Sequence, residues 1–91
     1  MPDQPIHVAA FYRFAPIADP QALAQALRAQ GAADGLVGSI ILAREGLNGT
    51  IAGTGEAVDA LLARLRAEPG CAELTARRHR TAQLPFARWK I

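Results

Sequence analysis

Apolar positions recur with period two in some stretches of the chain and at helical spacing in others, and the switches between them outline the fold. From His7 to Phe14, Val8, Ala10, Tyr12 and Phe14 fall on one face, with Ala9, Phe11 and Arg13 on the other. Both faces are largely apolar, which predicts a central strand. Asp19-Pro20 then supplies an N-cap and a first-turn proline for a helix carrying Leu23, Ala26, Leu27 and Gln30. Gly31 is expected to end it. Val37 to Ala43 reads as a second strand and Thr50 to Gly53 as a third, with residues 44–49 between them as a polar hairpin tip. Thr54 is placed to cap a second helix whose stripe, Val58, Leu61, Leu62 and Leu65, reads as core. Pro69-Gly70 stops that helix. Glu73 to Arg80 predicts a weaker fourth strand, and Leu84 to Ile91 an extended tail.

The order β-α-β-β-α-β predicts an α+β, ferredoxin-like sandwich, in which two helices cover one face of a four-stranded antiparallel sheet. Residues 1–83 are read as this acylphosphatase-like domain and 84–91 as a segment leading out of it. The second sheet face is left uncovered. In this architecture such a face serves RNA, a second domain or another subunit.

Size and composition narrow the options. A chain of 91 residues forms one domain and buries only about 60–65% of its unfolded surface. That favours a groove or flat face over a deep cavity. With 51% hydrophobic and 20% charged residues, the chain is expected to fold. No apolar run approaches the ~18 residues of a membrane span. The N-terminal Met-Pro-Asp-Gln-Pro lacks the pattern of a secretory signal, so a cytoplasmic protein without a membrane partner is expected. For the same reason the glycosylation pattern Asn48-Gly49-Thr50 carries no meaning.

Charge is uneven. Residues 1–71 hold five Arg against seven acids, whereas 72–91 hold Arg77, Arg78, Arg80, Arg88 and Lys90 against Glu73 alone. A basic end carrying Phe86 and Trp89 could face an anionic partner such as RNA. It could equally be a solvated edge strand, which Arg and Lys protect from further pairing.

Several chemical candidates fail on spacing. Gly53-Thr54-Gly55 lacks the remainder of a phosphate loop and reads as helix capping. Cys71 has no adjacent base to activate it. His7 and His79 have no third ligand. After the first strand, Arg13-Phe14-Ala15-Pro16 is not the glycine-rich loop that acylphosphatase activity needs. No catalytic residue, metal or cofactor is therefore expected. What remains is Arg44, Glu45 and Asn48 at the hairpin tip. An arginine fork suits phosphate, and Asn and Glu suit base edges. A surface ion pair above a turn asparagine is the plainer reading, and local physics leaves both open.

The stretch Leu42-Ala43-Arg44-Glu45-Gly46-Leu47-Asn48-Gly49-Thr50-Ile51-Ala52-Gly53 resembles the N-terminal domain of the bacterial rhodanese-like tRNA uridine hydroxylases. Val8 to Phe14 resembles that family's first strand, and Pro85 to Ile91 the segment entering its rhodanese domain; Trp89 stands where methionine is more usual. The resemblance implies a part of an enzyme that installs a 5-hydroxyl group on the wobble uridine of tRNA in an oxygen-dependent reaction. The family's essential cysteine belongs to the rhodanese domain, so Cys71 inherits no such role. An end at Trp89-Lys90-Ile91, mid-strand by pattern, is expected of a piece of a longer chain. The implied partners are tRNA and a C-terminal rhodanese domain of the same polypeptide. Arg13, Arg44, Glu45, Asn48, Thr50, Arg88 and Lys90 are the candidate tRNA contacts. Two alternatives are an interdomain scaffold that touches no RNA, with Trp89 at the interface, and a free-standing ligand-binding or dimerisation module.

Overall fold

The computed structural model describes residues 5–91, so the first four residues used in the signal-sequence argument lie outside the described residues. The elements run β1 (Ile6–Phe14), α1 (Pro20–Ala33), β2 (Val37–Ala43), β3 (Gly46–Gly53), α2 (Gly55–Arg66), β4 (Ala76–Thr81) and β5 (Trp89–Lys90). The sheet order is β4-β1-β3-β2-β5. The first four strands pair antiparallel, as the ferredoxin-like pattern requires. The fifth is an addition to that pattern: the tail forms a short strand parallel to β2, pairing Trp89 with Gly38 and Lys90 with Ser39.

Both helix starts follow from local capping. The Asp19 carboxylate accepts from the Ala22 N–H at 3.0 Å and the Thr54 hydroxyl from the Ala57 N–H at 3.1 Å. The end of α1 differs from expectation. Gly31 lies inside the helix, and the terminator is Gly35, at φ 73°. There the Leu36 N–H reaches the Gly31 carbonyl and the Gly35 N–H that of Ala32, a Schellman closure. Gly31 serves close packing instead, because a methyl at that position would overlap the indole of Trp89.

The core lies between the helices and one sheet face. Ala9 and Phe11 of β1, Ile40 of β2 and Leu47 and Ile51 of β3 meet Leu23 and Leu27 of α1 and Val58, Leu61, Leu62 and Leu65 of α2. Cys71 and Leu74, after α2, close one end. Trp89 turns into the same layer, half-buried against the core, and its indole N–H donates to the Arg28 carbonyl at 3.2 Å.

Candidate functional site

The expected hairpin tip is smaller than the sequence suggested. Ala43 pairs with Gly46, so the reversal is made by Arg44 and Glu45 alone and β3 begins at Gly46 rather than Thr50. Among the described residues no non-glycine has positive φ, which excludes the primed turns usual in two-residue hairpins; Gly46, at φ 155°, takes the strained position instead. The turn is also tied down. The Ala15 N–H donates to the Glu45 carbonyl at 3.1 Å and the Ile17 N–H to that of Arg44 at 2.9 Å. Asn48 and Gly49, read from sequence as turn residues, are therefore strand residues. Asn48 is exposed on the sheet, opposite Tyr12 on one side and Ile41 on the other.

This register sorts the candidate residues by face. Asn48, Thr50 and Lys90 lie on the sheet face away from the helices, while Arg44 and Glu45 sit at its rim. Arg88, just before β5, is exposed and gives its carbonyl to the Gly38 N–H at 2.7 Å. Arg13 is on the helical side, where its Nε donates to the Gly70 carbonyl at 2.9 Å. It is thus separated from the others by the sheet itself.

The register also brings in residues outside the seven candidate contacts. On the open face, Tyr12 and Phe14 of β1 are 69% and 81% exposed and Ile41 of β2 is 63% exposed. The two rings meet edge to face, with centroids 5.9 Å apart. Arg77 and His79 of β4 lie on the same face, opposite Ala10 and Val8. Alternation along His7–Phe14 had already put Tyr12 and Phe14 together. It could not tell which of the two apolar faces the helices would cover.

Electrostatically the layers differ. None of the five strands contains Asp or Glu. Among the described residues the ion pairs are Arg64–Glu68, within and just beyond α2, and Arg78–Asp59, between β4 and α2. Both belong to the helical side, and His7 Nδ1 lies 3.2 Å from the Arg78 guanidinium there. Arg77 and Lys90 have no carboxylate partner among the described residues. Cys71 is fully buried, and burial pushes its thiol pKa up despite the opposing influence of Arg13. That disfavours the thiolate a nucleophile needs. No group of three or more His, Cys, Asp or Glu side chains converges among the described residues, and no described helix is long and apolar enough to cross a membrane.

Two helices on one side and, on the other, an acid-free sheet face that is open around Tyr12, Asn48 and Ile41 and buried at Val8 and Ala52 define a ferredoxin-like module of the acylphosphatase-like kind. Residues 6–91 match the UPF0176 acylphosphatase like domain, and the chain belongs to that family. It is 46% identical over 88 residues to a protein of Gluconobacter oxydans (strain 621H) named tRNA uridine(34) hydroxylase, a match covering 97% of this chain and 28% of the relative. A protein of the same name from Caulobacter vibrioides (strain NA1000 / CB15N) is 48% identical over 84 residues, covering 92% of this chain and 27% of the relative. The chain thus spans little more than a quarter of these relatives. Among solved structures, the BLUF protein BlrB in its dark state superposes with a TM-score of 0.70 at 25% identity, covering 96% of this chain and 69% of that one. Full-length HypF, in its phosphate- and nucleotide-bound form, shares the fold at a TM-score of 0.66 and 12% identity, covering 94% of this chain and 12% of that one.

Proposed function

We propose that this chain is the N-terminal, tRNA-contacting module of a tRNA uridine(34) hydroxylase, with the chemistry residing in a C-terminal rhodanese domain of the same polypeptide. The relatives' name supplies the substrate class. The observation that carries the contact is the charge arrangement: an open sheet face whose strands hold no carboxylate among the described residues, with Glu45 only at the rim, and which bears Arg77 and Lys90. Unpaired cations on one face suit a phosphate backbone, which supplies most of the affinity in such complexes. Asn48 and Thr50 on the face, Arg44 and Glu45 at its rim and Arg88 beside β5 are the further contacts. Arg13, engaged with Gly70 on the helical side, is left out of the proposed surface. The module orients tRNA and is not catalytic alone; a buried Cys71 with a raised thiol pKa fits that role.

Binding of unmodified tRNA to the chain, followed by fluorescence anisotropy across a salt series, tests this. Arg77→Gln and Lys90→Gln should each lower the slope of log affinity against log salt by about one unit. In the full-length enzyme, Arg44→Ala and Asn48→Ala should reduce wobble hydroxylation, and unchanged activity would remove both from the surface. A second reading rests on the exposed Tyr12, Phe14 and Ile41: a scaffold that packs this apolar face on the rhodanese domain. Absence of salt-dependent tRNA binding, together with binding of the separately expressed remainder of the enzyme, would favour it. Trp89, expected at the interface in the scaffold reading, packs on α1 and is left out of both proposed surfaces.

A further inference from the structure

The register lines up one row of residues across all five strands of the open face. From β4 to β5 it reads Arg77, Ala10, Thr50, Ser39, Lys90. Four steps of about 4.8 Å between strands separate the backbone positions of the two cations by about 19 Å across the sheet. Between them every side chain is small. The next row is Tyr12, Asn48, Ile41, large and exposed, and Phe14 lies beyond it. A trough of 690 Å³ lies on this floor, lined by Ala10, Tyr12, Ser39, Asn48, Thr50 and Arg77 among others. It has an apolar aromatic wall on one side and a cation at its β4 end.

Resting on the tRNA-contacting reading above, we propose that this trough seats an unpaired nucleobase of the RNA, stacked against Tyr12, whose ring Phe14 braces edge to face from outside the trough, with Arg77 and Lys90 holding the flanking phosphates. Three features favour this occupant. Tyr12 and Phe14 meet edge to face rather than stacking on each other, which leaves ring faces for a base. The side chains of Ser39, Asn48 and Thr50 make no hydrogen bond among the described residues, so two hydroxyls and an amide remain for a base edge. The row ends in cations with no carboxylate between them, which matches an anionic chain better than a neutral protein surface. An unpaired nucleotide combines a flat ring, a polar edge and a phosphate; a base-paired duplex hides the first two.

The test compares two RNA probes on the intact chain by fluorescence anisotropy: an anticodon stem-loop with an unmodified wobble uridine, and the same stem closed as a blunt duplex. The stem-loop should bind more tightly. Tyr12→Ala should weaken it roughly five- to hundredfold, the range for loss of one stacked base, and Phe14→Ala by a smaller factor through loss of the brace. Tyr12→Phe should retain binding, and Arg64→Gln on the helical layer should leave it unchanged. Far-UV circular dichroism checks that the variants fold, as expected for exposed positions. Stem-loop binding that ignores both aromatic substitutions, or equal binding of the duplex, overturns the base seat and leaves the tRNA-contacting reading standing. No salt-dependent binding of either probe overturns both.

Discussion

Replacing Gly31 by alanine sets two effects of opposite sign against each other. Gly31 lies in the last turn of α1, where alanine gains about 1 kcal/mol in helix propensity. The added methyl, however, falls on Cε2 and Cζ2 of the Trp89 indole, a rigid ring that cannot fold away within its site. The relief available is for β5 to leave, since it is held by two residue pairs along β2. If the half-buried indole gives up about 100 Å² of apolar contact, the loss is about 2.5 kcal/mol at ~25 cal/mol per Å². The indole hydrogen bond to the Arg28 carbonyl adds about 1 kcal/mol. The variant should therefore undock β5, giving up about 3.5 kcal/mol of contact, and lose about 2–3 kcal/mol of overall stability once the helix gain is counted, while β1–β4 and both helices keep their core. Trp89 is the only tryptophan, so its emission reports the event directly and should shift to the red in a chain that is otherwise folded. Urea titration should show a loss no larger than the docking energy. Trp89→Ala added to Gly31→Ala should cost almost nothing more, because both remove one contact. A variant with unchanged emission and raised stability would refute the packing role assigned to this glycine.

Two further outcomes follow from the core and the caps. The raised Cys71 thiol pKa means that folding favours the neutral thiol. Its stabilising contribution is then complete below the unfolded thiol value of about 8.5 and declines as pH rises towards the folded one. The urea midpoint should fall above pH 8.5 in the native chain and fall less in Cys71→Ala measured against its own neutral-pH value. Thr54→Ala removes the acceptor for the Ala57 N–H and should cost about 1 kcal/mol by the same titration, with Thr54→Ser close to neutral.

Capping and periodicity were legible because they are local. Asp19 and Thr54 cap the helices predicted for them, and the α2 stripe is buried as its spacing requires. The misread positions are those where distant chain decides. Gly31 looks like a helix terminator until Trp89, 58 positions later, is found packed on it. Asn48-Gly49 looks like a turn until β2 and β1 pair on both sides of it. Each is a glycine that signals either reversal or close approach, and sequence alone does not separate the two. The candidate surface followed the same rule. Asn48, Thr50 and Lys90 were named from motif and charge. Arg77 belonged to the basic end, but its alignment with them, like that of Ser39, emerges only from the register across strands, which places Arg13 on the opposite side.

The confinement of Asp and Glu, among the described residues, to helices, turns and loops also bears on how the domain approaches a charged partner. The helical side mixes both signs, as in the pairs Arg78–Asp59 and Arg64–Glu68, whereas the open face presents Arg77 and Lys90 unopposed. The domain therefore has a directional field across its short dimension, and a polyanion within about one Debye length, ~8 Å at physiological salt, turns that face inward before contact. Added salt should then slow the encounter more than it hastens departure, because orientation is lost first.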